Sequence, residues 1–246
     1  MKTPRTLIYI ISIFCCASFS ALAQNEEQGI DTPATQSVTD TVNPVSKTDQ
    51  YGLRIGVDLS KPLRSFLDDK YKGLEIAGDF RIKKNYYIAA EIGNENKESD
   101  ETNFNVTTKG SYIKAGFNYN AYNNWYGMSN LIYVGLRAGF SSFSQELNNY
   151  TIYTTNTYYE PDFRTEKRDF SGLNATWLEL QLGVQAEVLN NLYLGINLQL
   201  KRMITEKEPD GFGNIYIPGF YKVTTDSPFG VGYAYTLSYF IPIFKK

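Results

Sequence analysis

The chain has 246 residues with 24 basic and 26 acidic side chains, a formal charge of −2, 15% aromatic residues and no histidine. Histidine is the usual base near neutral pH and the commonest metal ligand, so its absence excludes Ser-His-Asp and Cys-His catalysis and His-based zinc sites. The balanced charge offers no clustered basic surface for nucleic acid, and the length suits one sizeable domain with attachments.

At the start, Lys2 and Arg5 precede the apolar run LIYIISIFCCASFSALA, which ends in Ala21-Leu22-Ala23 before Gln24. A basic start, a short apolar run and a small-x-small end predict a cleaved signal peptide over residues 1–23. Cys15 and Cys16 both lie inside it, so the mature chain has no thiol and no disulfide. Phe14 before Cys15 argues against a lipid-modified cysteine. Residues 24–50 hold no aromatic residue, five acids, one lysine and two prolines. Such a segment buries too little apolar surface to order itself and predicts a disordered periplasmic leader, with a docking role for a partner left open.

From Tyr51 onward apolar residues recur at every second position, the period of a strand with two chemically different faces. In YGLRIGVDL, Tyr51, Leu53, Ile55, Val57 and Leu59 share one face, and Gly52, Arg54, Gly56 and Asp58 the other. Further strands are expected at 74–82, 86–93, 111–119, 131–141, 176–188, 192–201 and 229–241. The apolar face carries no charge in any of the eight. The opposite face carries eleven: Arg54, Asp58, Glu75, Asp79, Arg81, Glu91, Lys114, Arg137, Glu179, Glu187 and Lys201. Ten other positions on that face are glycine. A solvated face is rarely so rich in glycine. In a closed eight-stranded barrel the lumen is only wide enough for side chains to fill it, so very small residues must sit beside long charged ones.

Connections alternate in length. Those at 83–85, 120–130 and 189–191 are short, and those at 60–73, 94–110, 142–175 and 202–228 are long and fall at the opposite end. Strands of about ten residues at ~3.3 Å rise, tilted by ~40°, climb roughly 25 Å, the apolar height a bacterial outer-membrane barrel needs. Aromatics recur near the turns (Tyr51, Tyr86, Tyr119, Tyr122, Trp125, Tyr126, Tyr193, Tyr239) and near the loops (Phe104, Phe140, Phe143, Trp177, Phe229), as two interfacial girdles would.

The export signal, eight strands, long outer loops and the last strand GVGYAYTLSYFIPIF make residues 51–246 resemble the small eight-stranded outer-membrane β-barrel proteins, most of all uncharacterised Bacteroidota members. The resemblance implies an all-β, eight-stranded antiparallel up-and-down transmembrane β-barrel with short periplasmic turns and long extracellular loops, inserted by the outer-membrane assembly machinery among outer-membrane lipid. The end of the chain departs from the pattern: Phe244 is out of phase, Pro242 interrupts the ladder and two lysines follow. Enzymatic barrels of similar strand number, a palmitoyltransferase and a lipid-A deacylase, rely on a catalytic histidine that is missing here.

These readings lead to a non-enzymatic protein with no cofactor and no metal, whose nearly balanced inward charges plug the lumen as a salt-bridge network. A narrow channel or an accessory subunit of an envelope transport or secretion complex is one alternative. A secreted lipocalin-like ligand binder is another. Glu95, Glu98, Asp100 and Glu101 read as a solvated acidic loop, and 210–214 (Asp-Gly-Phe-Gly-Asn) as a weak candidate for calcium. In the longest loop Tyr150, Tyr153, Tyr158 and Tyr159 are candidates for recognising an envelope protein or a glycan, because large amphipathic rings cost little entropy to fix.

Overall fold

The computed structural model describes residues 50–122, 130–152, 158, 162–223 and 227–245. The expected signal peptide, nearly all of the leader, Trp125, Tyr126, Tyr153 and Tyr159 lie outside the described residues. In chain order the elements are β1 (Gln50–Asp58), α1 (Ser60–Leu67), β2 (Tyr71–Lys83), β3 (Tyr86–Glu101), β4 (Phe104–Asn120), β5 (Leu131–Ile152), β6 (Asp162–Arg164), β7 (Arg168–Leu189), β8 (Leu192–Glu206), β9 (Tyr216–Ile217), β10 (Tyr221–Lys222) and β11 (Phe229–Lys245).

Eight of these strands form one antiparallel sheet in the order β4-β3-β2-β1-β11-β8-β7-β5, and β4 pairs with β5 to close it. The result is an eight-stranded up-and-down barrel. β6 adds three residues to the upper edge of β5. β11 runs through Pro242, which pairs with Gly52, and the register against β1 shifts just beyond it, skipping Ile243, so a bulge sits beside the residue that cannot donate to the ladder.

Side chains alternate across the wall. Outward positions such as Ile88, Ile92, Ile113, Leu180, Leu182, Leu194 and Ile196 are roughly half exposed around the barrel. Inward positions are buried, and the charged ones lie there rather than on the outside, the reverse of a water-soluble domain. The inward glycines are space for rings: a methyl group on Gly139, Gly93 or Gly183 would overlap the ring of Trp177, Tyr112 or Tyr133.

The wall is taller than the apolar alternation implied. β5 and β7 are 22 residues each, and β3 and β4 pair without a break from Tyr86↔Tyr119 to Glu101↔Phe104. Beyond the apolar belt the outward positions turn to Asn, Lys, Ser and Glu. Ladder hydrogen bonds persist there while the hydrophobic signal ends. The acidic run 95–101 is therefore strand, not loop. Residues 60–73 likewise hold a helix, and residues 207–222 turn into the barrel mouth, where Tyr216, Ile217 and Phe220 are buried.

Candidate functional site

The alternation of β2, β3, β4, β5, β7 and β8 brings Glu75, Glu91, Lys114, Arg137, Glu179 and Lys201 together inside the barrel, each buried. Lys114 is the hub. Its Nζ lies against Glu91, 3.3 Å from Glu75 Oε2 and 3.9 Å from Glu179 Oε1. Arg137 Nε donates to Glu91 Oε1 at 3.2 Å, and its terminal nitrogens reach the Phe117 carbonyl (2.9 Å) and Asn118 Oδ1 (2.8 Å). Lys201 Nζ stands 3.7 Å from Glu179 Oε2. Gln181 ties the acids together, donating to Glu179 Oε1 at 2.6 Å and to Glu91 Oε1 at 3.2 Å.

Two further charges complete the chain. Lys61, carried inward on α1, pairs with Glu95 and lies 3.8 Å from Glu75. Glu95 also accepts from the Tyr216 hydroxyl at 2.5 Å and from the Gly219 amide at 3.2 Å. Glu95 is fully buried, which corrects its reading as part of a solvated loop. It was legible as the next inward position after Glu91 and Gly93. Lys61 was not, because strand alternation says nothing about which face of a loop helix turns inward.

The remaining predicted charges sit apart from this chain. Arg54 Nη2 donates to Asp79 Oδ1 at 2.7 Å, with its guanidinium 5.4 and 5.1 Å from the Tyr87 and Tyr193 ring centres. Asp58 anchors a turn: it accepts from the Ser60 amide and hydroxyl, both at 2.9 Å. Arg81 donates to the Lys84 carbonyl and Glu187 accepts from the Asn191 amide, so both brace turns.

Above the charges lies an apolar layer. Tyr112, Phe143, Leu173, Ala175, Trp177, Ile217 and Phe220 form one buried cluster, with Trp177 and Phe220 edge to face at 6.0 Å. Trp177 donates to Glu179 (3.3 Å), Tyr112 to Glu75, and Lys201 to the Gly219 carbonyl (2.6 Å), so the two layers interlock. Trp177, Phe143 and Tyr193 thus face the lumen and leave the expected girdles, whereas Tyr86, Tyr119, Phe140, Phe229 and Tyr239 face outward. Trp177 and Tyr193 already stood in the inward phase of their strands. A void of about 50 Å³ lies beside Arg54, Glu91 and Arg137.

At the loop end Arg168 Nη2 donates to the Tyr150 hydroxyl (3.1 Å), and Tyr158 is 88% exposed. A hydrogen bond from Lys97 holds the Asp68 carboxyl below its ordinary value, and one from Arg164 does the same for Asp162. In the candidate calcium segment Asp210 is exposed, Phe212 packs on Phe104 and Phe170, and Asn214 is buried on Glu206. Among the described residues no group of three acidic or thiol side chains is placed to hold a metal ion.

A family model described as "Domain of unknown function (DUF6048)" matches residues 6–246. The chain belongs to that family. No curated protein matches this DUF6048 chain. Among solved structures it is similar to the crystal structure of Ail, the attachment invasion locus protein of Yersinia pestis. That likeness has 9% identity and a TM-score of 0.38, over 78% of this chain and 98% of the other. The barrel stands on this chain's own strand pairing.

Proposed function

We propose that the protein is a non-enzymatic integral outer-membrane barrel of a Gram-negative bacterium, with a lumen closed by ion pairs and by its own last loop. Its role is structural or at the cell surface. An outward apolar belt around a charged interior supports the membrane reading, since only a closed barrel satisfies every strand in lipid. It also weighs against the lipocalin-like alternative, which needs an apolar interior. One observation carries the closed lumen over the narrow channel: the chain Glu95–Lys61–Glu75–Lys114–Glu179–Lys201 spans the interior beside a void of only about 50 Å³. Buried charges are costly unless paired, and here each lies beside an opposite charge.

Reconstitution into planar bilayers tests this. The expected trace shows no single-channel steps, and stable steps establish the channel instead. Membrane fractionation with heat-modifiable gel mobility tests the barrel. A wholly soluble, heat-insensitive mature protein rejects it.

The tall β5–β7 wall favours a surface-recognition role, with exposed Tyr158 and nearby Tyr150 as contacts for an envelope protein or glycan. Vesicle-reconstituted protein is expected to bind purified envelope polysaccharide, and Tyr150→Ala with Tyr158→Ala to abolish it. Unchanged binding by the double variant removes these two residues from the role.

A further inference from the structure

The wall has a gap. β1 ends at Asp58, level with Thr236 of β11, and its last partner on β2 is Ile76. Beyond that level residues 71–75 of β2 and 229–235 of β11 continue upward with no strand between them. α1 stands there instead. The Leu59 amide donates to the Tyr235 carbonyl at 2.6 Å, the Tyr235 amide to Asp58 Oδ1 at 3.2 Å, and the Gly73 amide to Ser65 Oγ at 2.9 Å. Among the described residues no backbone bond reaches 229–233 of β11 from this side. Open strand edges are costly in hydrocarbon, so the gap needs cover.

The helix has two faces. Leu63, Phe66 and Leu67 are strongly exposed, as on an amphipathic helix lying at a lipid interface. Its Ser60, Lys61 and Arg64 instead line a crevice of about 700 Å³ with Tyr71, Leu198, Val231 and Tyr233. The last three belong to the outward belt, exposed by 63%, 75% and 55%, so the crevice opens sideways onto it. Its charges are mostly taken: Lys61 by Glu95, Lys70 by Asp100 (2.8 Å), Lys97 by Asp68 (2.7 Å) and Glu98 by Asn105 (2.9 Å). The Arg64 guanidinium differs. It stacks 4.1 Å over the Tyr71 ring, and although its charge reaches the Asp68 carboxyl, no carboxylate among the described residues stands within ion-pair distance of it. The buried Tyr71 hydroxyl also has no hydrogen-bond partner among the described residues.

We propose that this crevice holds one acyl chain of an anionic membrane lipid against Leu198, Val231 and Tyr233, with the lipid's acidic headgroup on Arg64. Two features meet in one cavity: an apolar wall continuous with the lipid-facing belt, and at its polar end a planar cation held on the Tyr71 ring with no ion pair among the described residues, the group that takes a phosphate or carboxylate in a forked bond. The volume falls in the range of small-molecule sites. This inference rests on the membrane reading.

The test uses full-length mature protein refolded in zwitterionic micelles, with folding checked by heat-modifiable mobility, and native mass spectrometry with equimolar phosphatidylglycerol and phosphatidylcholine. The folded protein is expected to retain one phosphatidylglycerol about tenfold over phosphatidylcholine, the worth of one charge-assisted contact. Arg64→Gln is expected to bring the ratio to one, and Val231→Trp, which fills the crevice, to lose both lipids. Equal retention by the parent protein, an unchanged ratio in Arg64→Gln, or complete displacement by inorganic phosphate overturns the lipid site. Should Val231→Trp fail to fold, Arg64→Gln, which removes no backbone hydrogen bond of the wall, still decides. A parent protein that never acquires heat-modifiable mobility defeats the membrane reading instead.

Discussion

The two halves of the lumen are filled by different means. Near the middle of the wall the strands fill it themselves, with Lys114, Glu91, Glu75 and Glu179 meeting across the interior from β4, β3, β2 and β7. Toward the loop end a returning segment fills it, with Ile217 and Phe220 packed on Trp177, Phe143 and Tyr112. The first half is charge matched to charge at fixed register. The second is aromatic and aliphatic packing, contributed by a segment whose two short strands pair only with each other. Side chains on a wall can neutralise one another, but above the belt a taller interior needs added volume, and only a loop supplies it.

Substitutions can separate the two halves. Lys114→Met strips the hub from three buried carboxylates, and breaking a buried pair this way is expected to cost about 3–5 kcal/mol. Urea unfolding in phosphocholine vesicles measures it, and a neutral result means that the strand-built half does not depend on its charges. Trp177→Ala removes the largest ring of the upper layer, for about 3 kcal/mol. Hydrogen exchange should place that loss in residues 207–222 rather than in β3 and β4. Equal deprotection of both halves means that they unfold as one. On the outer face, Leu182→Arg is expected to cost roughly 2–4 kcal/mol through charge facing lipid, whichever way the lumen is filled.

Acid gives the smallest effect. Asp68 and Asp162 are held below the ordinary value of 3.8, so their pairing favours the folded state above that value and fades as pH falls through their lower folded values. Amide protection, taken relative to the intrinsic exchange rate at each pH, should therefore stay flat at 60–73 and 162–167 from neutral pH down to about 4 and fall only below it. Because both groups are exposed, global stability should barely move.

How much was legible depended on where local pattern and tertiary contact agreed. Inside the apolar belt, Leu178, Leu180 and Leu182 against Glu179, Gln181 and Gly183 announce both strand and facing. Above it, β3 continues through Asn94, Asn96 and Glu98 with no hydrophobic contrast, so the pattern ends at Gly93 and Glu95 reads as loop. Trp177 and Tyr193 failed for another reason. An aromatic residue near a strand end suits a girdle and a lumen equally, and only phase separates them. α1 is hidden because eight residues between two strands read as part of a long connection, although Leu63, Phe66 and Leu67 carry helical spacing.

By itself the sequence determined the number of strands, the end at which the long loops lie, and the uncharged outward face. Those follow from a period of two and from loop length, which are local properties of the chain. Only the tertiary structure decided that Lys61 and Glu95 join the interior charges, that Asp58, Arg81 and Glu187 brace turns instead, that 207–222 fold into the mouth, and that β1 stops short and leaves a gap for α1. Such outcomes turn on which strands end level with one another and what fits the space left over. Neither quantity is written at any single position of the chain.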